Sequence, residues 1–126
     1  MNKIAVVEDN PDNRLLIRAI LEDQYEVAEY ENGPEALDGF RGSRPDLVLL
    51  DISLPEMDGT IVLARMRAHP GLRELPVIAL TAHAMVGDRE KYLAAGFDEY
   101  VAKPIVDEAV LLDAIKVLLH RSGSCT

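Results

Sequence analysis

The sequence predicts a doubly wound α/β domain: a five-stranded parallel sheet covered by helices on both faces, in three layers. Two observations carry this expectation. Short apolar runs recur at Ile4 to Val7, Leu47 to Leu50 and Val77 to Leu80, and continuous apolar character over so short a span, with Val and Ile present, fits strands buried on both sides. Segments of helical spacing separate these runs, so strand and helix alternate, which favours parallel pairing through right-handed crossovers. With 126 residues and no linker, low-complexity segment or internal repeat, the chain is one domain with room for a real core.

Each element has its own signals. After the first strand, Asn10-Pro11 offers an N-cap and a proline at the first helical position. Leu16, Ile17 and Ile20 form that helix's expected apolar stripe. Glu26 to Tyr30 is mixed in character and fits an edge strand. Gly33-Pro34 opens a second helix with Ala36, Leu37 and Phe40 inward and Gly42 as its stop. After the third strand, Asp58 caps a helix with Val62, Leu63 and Met66 on its inner face, and His69-Pro70-Gly71 ends it. The fourth helix is expected from about Met85 to Ala95, stopped by Gly96, and Glu99 to Ala102 is the other edge strand. Asp107 caps the fifth helix, with Val106 and Leu111 placed as a hydrophobic staple. Leu111, Leu112, Ile115, Leu118 and Leu119 are its inner face. Residues 1–120 form the domain and residues 121–126 a flexible tail.

Composition excludes several function classes. Twenty-two acids stand against 13 Lys and Arg, a formal net charge of -9. That surplus disfavours direct binding of nucleic acid or an anionic membrane, both of which need clustered cations. The single cysteine, Cys125, rules out an internal disulfide and a cysteine-based metal site. An N-terminus that reaches Glu8 and Asp9 after four apolar residues is no signal peptide. No apolar run is long enough to span a bilayer. A cytoplasmic location is expected.

In open parallel sheets, ligands sit at the carboxyl ends of the strands. Here Glu8 and Asp9 follow the first strand, Asp51 the third, Thr81 closes the fourth, and Lys103-Pro104 follows the fifth. Each acid alone reads as a helix-terminal charge or cap; together they read as a site. Three gathered carboxylates repel one another unless a cation intervenes. An all-oxygen donor set selects a hard cation, Mg²⁺ or Mn²⁺. Lys103 and Thr81 supply a cation and a hydroxyl, what the rest of a phosphoryl group needs.

The motifs Val6-Val7-Glu8-Asp9-Asn10, Pro45-Asp46-Leu47-Val48-Leu49-Leu50-Asp51, Leu54-Pro55-Glu56-Met57-Asp58-Gly59, Leu80-Thr81-Ala82 and Gly96-Phe97-Asp98-Glu99-Tyr100-Val101-Ala102-Lys103-Pro104 resemble the receiver domain of two-component response regulators, the family of the bacterial chemotaxis response regulator. The likeness runs from Lys3 to about Leu119. It implies the flavodoxin-like strand order 2-1-3-4-5. It also implies roles: Asp51 as phospho-acceptor, Asp9 as direct metal ligand, Glu8 as an acid reaching the metal through water, and the Ser53 backbone carbonyl completing the protein's share of coordination. Thr81 and the Ala82 N–H would bind phosphoryl oxygens, Lys103 would pair with another, and a cis peptide would join Lys103 to Pro104. Tyr100 resembles the switch aromatic. Glu8 stands where the family more often has aspartate.

The resemblance implies a phosphorelay component. A sensor histidine kinase, a histidine phosphotransfer protein or a small phosphodonor would pass a phosphoryl group to Asp51 with Mg²⁺ bound. Water would later hydrolyse the acyl phosphate, at a rate tuned by Ser53 and His83. Such a domain acts only on itself and is not an enzyme. The switch would alter a protein-docking face made by the fourth helix, fifth strand and fifth helix. The length leaves no room for an output domain, so a stand-alone regulator, a shuttle or the excised receiver of a hybrid histidine kinase are the expected contexts. Rivals fit less well. A haloacid-dehalogenase-type phosphatase needs a second aspartate where Ser53 stands, a flavodoxin-like carrier would meet an acidic loop at Glu8-Asp9, and a dinucleotide enzyme would need a G-x-G-x-x-G turn. A pseudo-receiver that docks without phosphorylation would not need the full residue set present here.

Overall fold

The computed structural model describes residues 2–54, 57–82, 88–103 and 107–123. The chain runs β1 (Lys3–Val7), α1 (Pro11–Leu21), β2 (Glu26–Tyr30), α2 (Gly33–Gly42), β3 (Leu47–Asp51), α3 (Gly59–Ala68), β4 (Val77–Thr81), α4 (Asp88–Ala95), β5 (Glu99–Ala102) and α5 (Glu108–Gly123). All strand pairs are parallel and the order is β2-β1-β3-β4-β5, the doubly wound arrangement the alternation predicts. The order reverses between β1 and β3, so the loops leaving these two strands open a crevice at one rim.

Strand alternation builds two cores. Ala5, Val7, Val48, Leu50, Val77 and Ala79 face a layer that includes Ala36, Phe40, Val62, Leu63, Met66 and Tyr92, from α2, α3 and α4. Ile4, Val6, Leu47, Leu49, Ile78 and Leu80 face Ile17, Ile20, Leu21, Leu111, Ile115 and Leu118 of α1 and α5. Burial on both faces explains why β3 and β4 are fully buried while β2 and β5 are mixed. Each such leucine or isoleucine contributes about 1.5–3 kcal/mol relative to exposure.

The caps follow the sequence signals. Asn10 Oδ1 accepts from the Asp12 and Asn13 N–H groups, and Asp58 caps α3 by accepting from Thr60 and Ile61. Asp107 Oδ1 accepts from the Ala109 N–H at 3.0 Å. Gly96 ends α4 at φ 114°, a left-handed conformation that favours glycine.

Two expectations shift. Leu16 is 41% exposed and Leu21 takes its place in the stripe, because Ile17, Ile20 and Leu21 share one helical face and Leu16 lies one step off it. The helix α5 continues to Gly123, three residues into the expected tail, since no helix breaker precedes that glycine. The described part of α4 begins at Asp88; its expected start at Met85, and the staple residue Val106, lie outside the described residues.

Candidate functional site at the carboxyl rim of the sheet

The backbone brings the site together before any side chain is considered. Glu8 follows β1, and its N–H donates to the Tyr30 carbonyl at 3.0 Å. Asp51 and Thr81 are the last residues of β3 and β4. The Lys103 N–H donates to the Thr81 carbonyl at 2.8 Å, extending the β4–β5 ladder by one step. Gly59 at the start of α3 donates to the Ile52 carbonyl at 2.9 Å. A Cβ there would fall 2.4 Å from the Asp51 carbonyl oxygen, so only glycine lets α3 approach the strand end so closely.

Glu8, Asp51 and Thr81 are each about 1% exposed, the chain's buried polar residues among those described, while Asp9 faces solvent. One carboxylate oxygen from each of Glu8, Asp9 and Asp51 lies within 4.8 Å of the others. Lys103 Nζ stands 3.1 Å from Glu8 Oε2 and 3.1 Å from Asp51 Oδ2. The Ser53 N–H donates to Asp51 Oδ1 at 3.0 Å, and the Asn10 N–H to Glu8 Oε1 at 3.2 Å. Burial pushes the Glu8 carboxyl above its usual range and Asp51 beside it adds to the shift, against the opposing pull of Lys103. Burial works against the Lys103 ammonium, yet its bonds and charge attraction to Asp51 and Glu8 prevail and hold it above its usual value.

This is one cation shared by a crowded group of anions. The donors are all oxygen, which suits a hard divalent cation and none of the softer metals. The cluster therefore fits the metal that the sequence suggests, with Glu8, Asp9 and Asp51 as the described side chains that could hold it.

The other expected site residues fall as follows. Ser53 and Ala82 are exposed just beyond β3 and β4, at the mouth of the crevice. Tyr100 is half-buried on β5, with its ring 6.1 Å from that of Tyr92. His83, Pro104 with its expected cis peptide, and Pro55-Glu56 lie outside the described residues.

Two participants escaped the sequence reading. Tyr92 of α4 places its hydroxyl 3.0 Å from Thr81 Oγ1. A lone tyrosine in a charged helix carries no motif, and its neighbours at helical spacing, Asp88, Arg89, Ala95 and Gly96, form no apolar stripe that would mark it as inward. Arg14 of α1 donates through Nη1 to the Glu8 carbonyl at 2.8 Å and the Asp9 carbonyl at 3.1 Å, pinning the acidic loop from below. Its position one turn after the Asn10 cap was the available signal.

Comparison with known proteins agrees with this geometry. The family model described as the response regulator receiver domain matches residues 4–116. The polar-differentiation response regulator DivK of Brucella anthropi is 46% identical over 103 residues, 81% of this chain and 84% of its own. The signal transduction histidine-protein kinase BarA of Shigella flexneri is 43% identical over 106 residues, 83% of this chain, which spans only 12% of that kinase's length. Among solved structures, the receiver domain of a sensor histidine kinase from Pseudomonas aeruginosa, with a magnesium ion coordinated in its active site cleft, superposes with a TM-score of 0.84 at 38% identity, covering 94% of this chain and 97% of that one.

Proposed function

The chain belongs to the response regulator receiver domain family of two-component signalling, and from that premise we propose that Asp51 is its phospho-acceptor, loaded from a histidine kinase or histidine phosphotransfer protein. The observation that carries this reading is Lys103 bridging Asp51 and Glu8 at 3.1 Å within a cluster of three carboxylates. A nucleophilic carboxylate needs one oxygen held and charge compensated nearby, and both conditions are met.

Glu8, Asp9 and Asp51, with the Ser53 carbonyl, would hold the metal, Mg²⁺ in preference to Mn²⁺. When bound, that ion supplies neutralisation of the phosphoryl oxygens. Asp51 attacks the phosphorus in line through its carboxylate, while the Ser53 N–H holds the other oxygen, Oδ1. Lys103 leaves its resting bridge to pair with an equatorial oxygen, and Thr81 with the Ala82 N–H accommodates another. As the O–P bond forms, the P–N bond to the donor's histidine breaks, the imidazole leaves with that electron pair and takes up a proton, and the product is an acyl phosphate on Asp51. Exposed Ser53 lies beside the path of hydrolytic water, and we assign the lifetime of the adduct to it and to His83. The domain acts on itself and turns over no external substrate.

The output surface we infer is the face of α4, β5 and α5. A groove of about 290 Å³ runs there between β5 and α5, lined by Tyr100, Val110, Val117 and Leu118 among others. Val110 and Val117 are 54% and 56% exposed. None of the described helices is long and apolar enough to cross a membrane, and the setting we propose is cytoplasmic, where ATP-driven kinases maintain phosphohistidine.

Intact mass measured after treatment with acetyl phosphate and Mg²⁺ tests the assignment. A labile phosphoryl adduct is expected in the parent and none in Asp51→Asn. An adduct that persists in the variant, or a parent that takes none, overturns it.

A further inference from the structure

Tyr92 is the buried residue among the described side chains of α4; Glu90, Lys91, Leu93, Ala94 and Ala95 are exposed. Its ring meets Phe97 edge-on at 6.1 Å and lies tilted against Tyr100 at 6.1 Å. The phenol that anchors this helix to the sheet is also bonded to Thr81 Oγ1 at 3.0 Å, and both residues are nearly inaccessible, at 5% and 1% exposure. A buried hydroxyl pair of this kind satisfies both partners, and separating it leaves a polar group stranded.

The pleat gives this bond a direction. Ala79 faces the core of α2, α3 and α4 while Leu80 faces the opposite core, so Thr81 continues the face of Ala79, toward Tyr92. Leu50 and Leu49 divide in the same way, so Asp51 continues the face of Leu49. The Thr81 hydroxyl and the Asp51 carboxylate thus leave the sheet toward opposite layers. To reach a phosphoryl group on Asp51, the hydroxyl must turn away from α4. Threonine is stiff at χ1 and moves between discrete rotamers, and such a step breaks a 3.0 Å bond.

We propose that Tyr92 is a positioning residue that holds Thr81 in its resting orientation, competing with the phosphoryl group for the threonine hydroxyl. This rests on the reading of Asp51 as phospho-acceptor. The competition ties the rim to α4 directly: when Thr81 turns toward Asp51, the anchor of α4 loses its partner, and Tyr100, already against that ring, is the adjacent group able to refill the space. Tyr92 thereby sets how much of the free energy of phosphorylation is spent on release before any partner is met.

Tyr92→Phe removes one oxygen and keeps the ring. Because the lost bond belongs to the resting state, beryllofluoride with Mg²⁺, titrated by amide NMR, is expected to bind the variant roughly three- to tenfold more tightly than the parent. The gain is expected to vanish in the Thr81→Ala background, where the hydroxyl that Tyr92 holds is gone. Unchanged or weaker binding by Tyr92→Phe overturns the proposal, as does a gain of equal size in the Thr81→Ala background, which would mean that the phenol acts on the fold and not on Thr81. A parent that binds no beryllofluoride at all would instead remove the phospho-acceptor reading, so the two failures are distinct.

Discussion

Two part-buried cations sit at opposite ends of the same sheet and are held in opposite ways. At the amino end of β4 and β5, Arg67 reaches from α3 to the carbonyls of Arg73 at 2.9 Å, Leu75 at 2.6 Å and Gly96 at 2.9 Å, and to the Asp98 carboxylate at 3.1 Å. Asp98 in turn accepts the Val77 N–H at 2.8 Å. One charge meets one countercharge, and the planar fork spends its donors on fixed acceptors. At the carboxyl end, Lys103 is a point charge shared between Glu8 and Asp51, with Asp9 close by. At the first end, fixed hydrogen bonds and a single ion pair hold the cation in place. The second is held together by charge, with an excess of anions that a divalent cation relieves. A parallel sheet can thus be locked at one end and left crowded with charge at the other.

The largest effect that tests this contrast is at the closed end. Arg67→Met removes the fork and leaves Asp98 without its cation. The expected loss is about 3 kcal/mol of unfolding free energy, after allowing for water reaching the partly exposed pair. Denaturant titration measures it. The folded fraction should still accept phosphate from acetyl phosphate at the parent rate. A folded Arg67→Met protein that labels slowly would show that the two ends are not independent.

The reverse pattern is expected at the carboxyl end. Lys103→Met removes the cation that, on the proposed mechanism, would face the developing charge on the phosphoryl oxygens, a change that costs on the order of a hundredfold in rate where such groups have been removed. Labelling with acetyl phosphate should fall by about that factor. The fold should survive, because Glu8, whose carboxyl burial already pushes up, can take up a proton in place of the lost ammonium. If labelling is unaffected, Lys103 is a structural counterion like Arg67, and the contrast dissolves.

Much of this was legible in the sequence because it depends on local chemistry. Apolar runs reveal buried strands, and Asn10, Asp58 and Asp107 announce their helices by capping. Glu8, Asp9, Asp51, Thr81 and Lys103 could be placed at one rim because strand ends in a parallel sheet must share one. What escaped depends on side-chain reach between distant elements. The bonds of Arg67 to the Gly96 carbonyl and of Tyr92 to Thr81 join segments whose spacing carries no periodic signal. Arg14 was missed for a related reason: its guanidinium serves backbone carbonyls, which any residue provides. Leu16 was misplaced because its neighbour Ile17 satisfies the same pattern better once the helix rotates onto the sheet.

The smallest expected effect is in the pH dependence of stability without divalent cations, and it separates the carboxylates at the two kinds of position. Glu8 has its carboxyl raised above 4.5, by burial first and by Asp51 second. The folded chain therefore binds that proton more tightly than the unfolded chain. Stability should fall as pH rises from about 4.5 through the raised value, and stay flat above it as far as Glu8 is concerned. Asp58, outside the cluster, is shifted the other way: the Thr60 hydroxyl, the first of its causes, holds it below 3.8. Its contribution is present above that value and is lost as pH falls through the depressed one. Chemical denaturation across pH in EDTA should show the Glu8 limb in the parent and not in Glu8→Gln, with the acid-side loss from Asp58 kept in both. On the proposed reading Mg²⁺ would bind the ionised acids of the folded state, so its stabilising effect should grow over the same interval in which the metal-free protein weakens. A parent whose stability is level across that interval, with and without Mg²⁺, would mean that the three carboxylates are as well compensated as Asp98, and that the two ends of the sheet are alike.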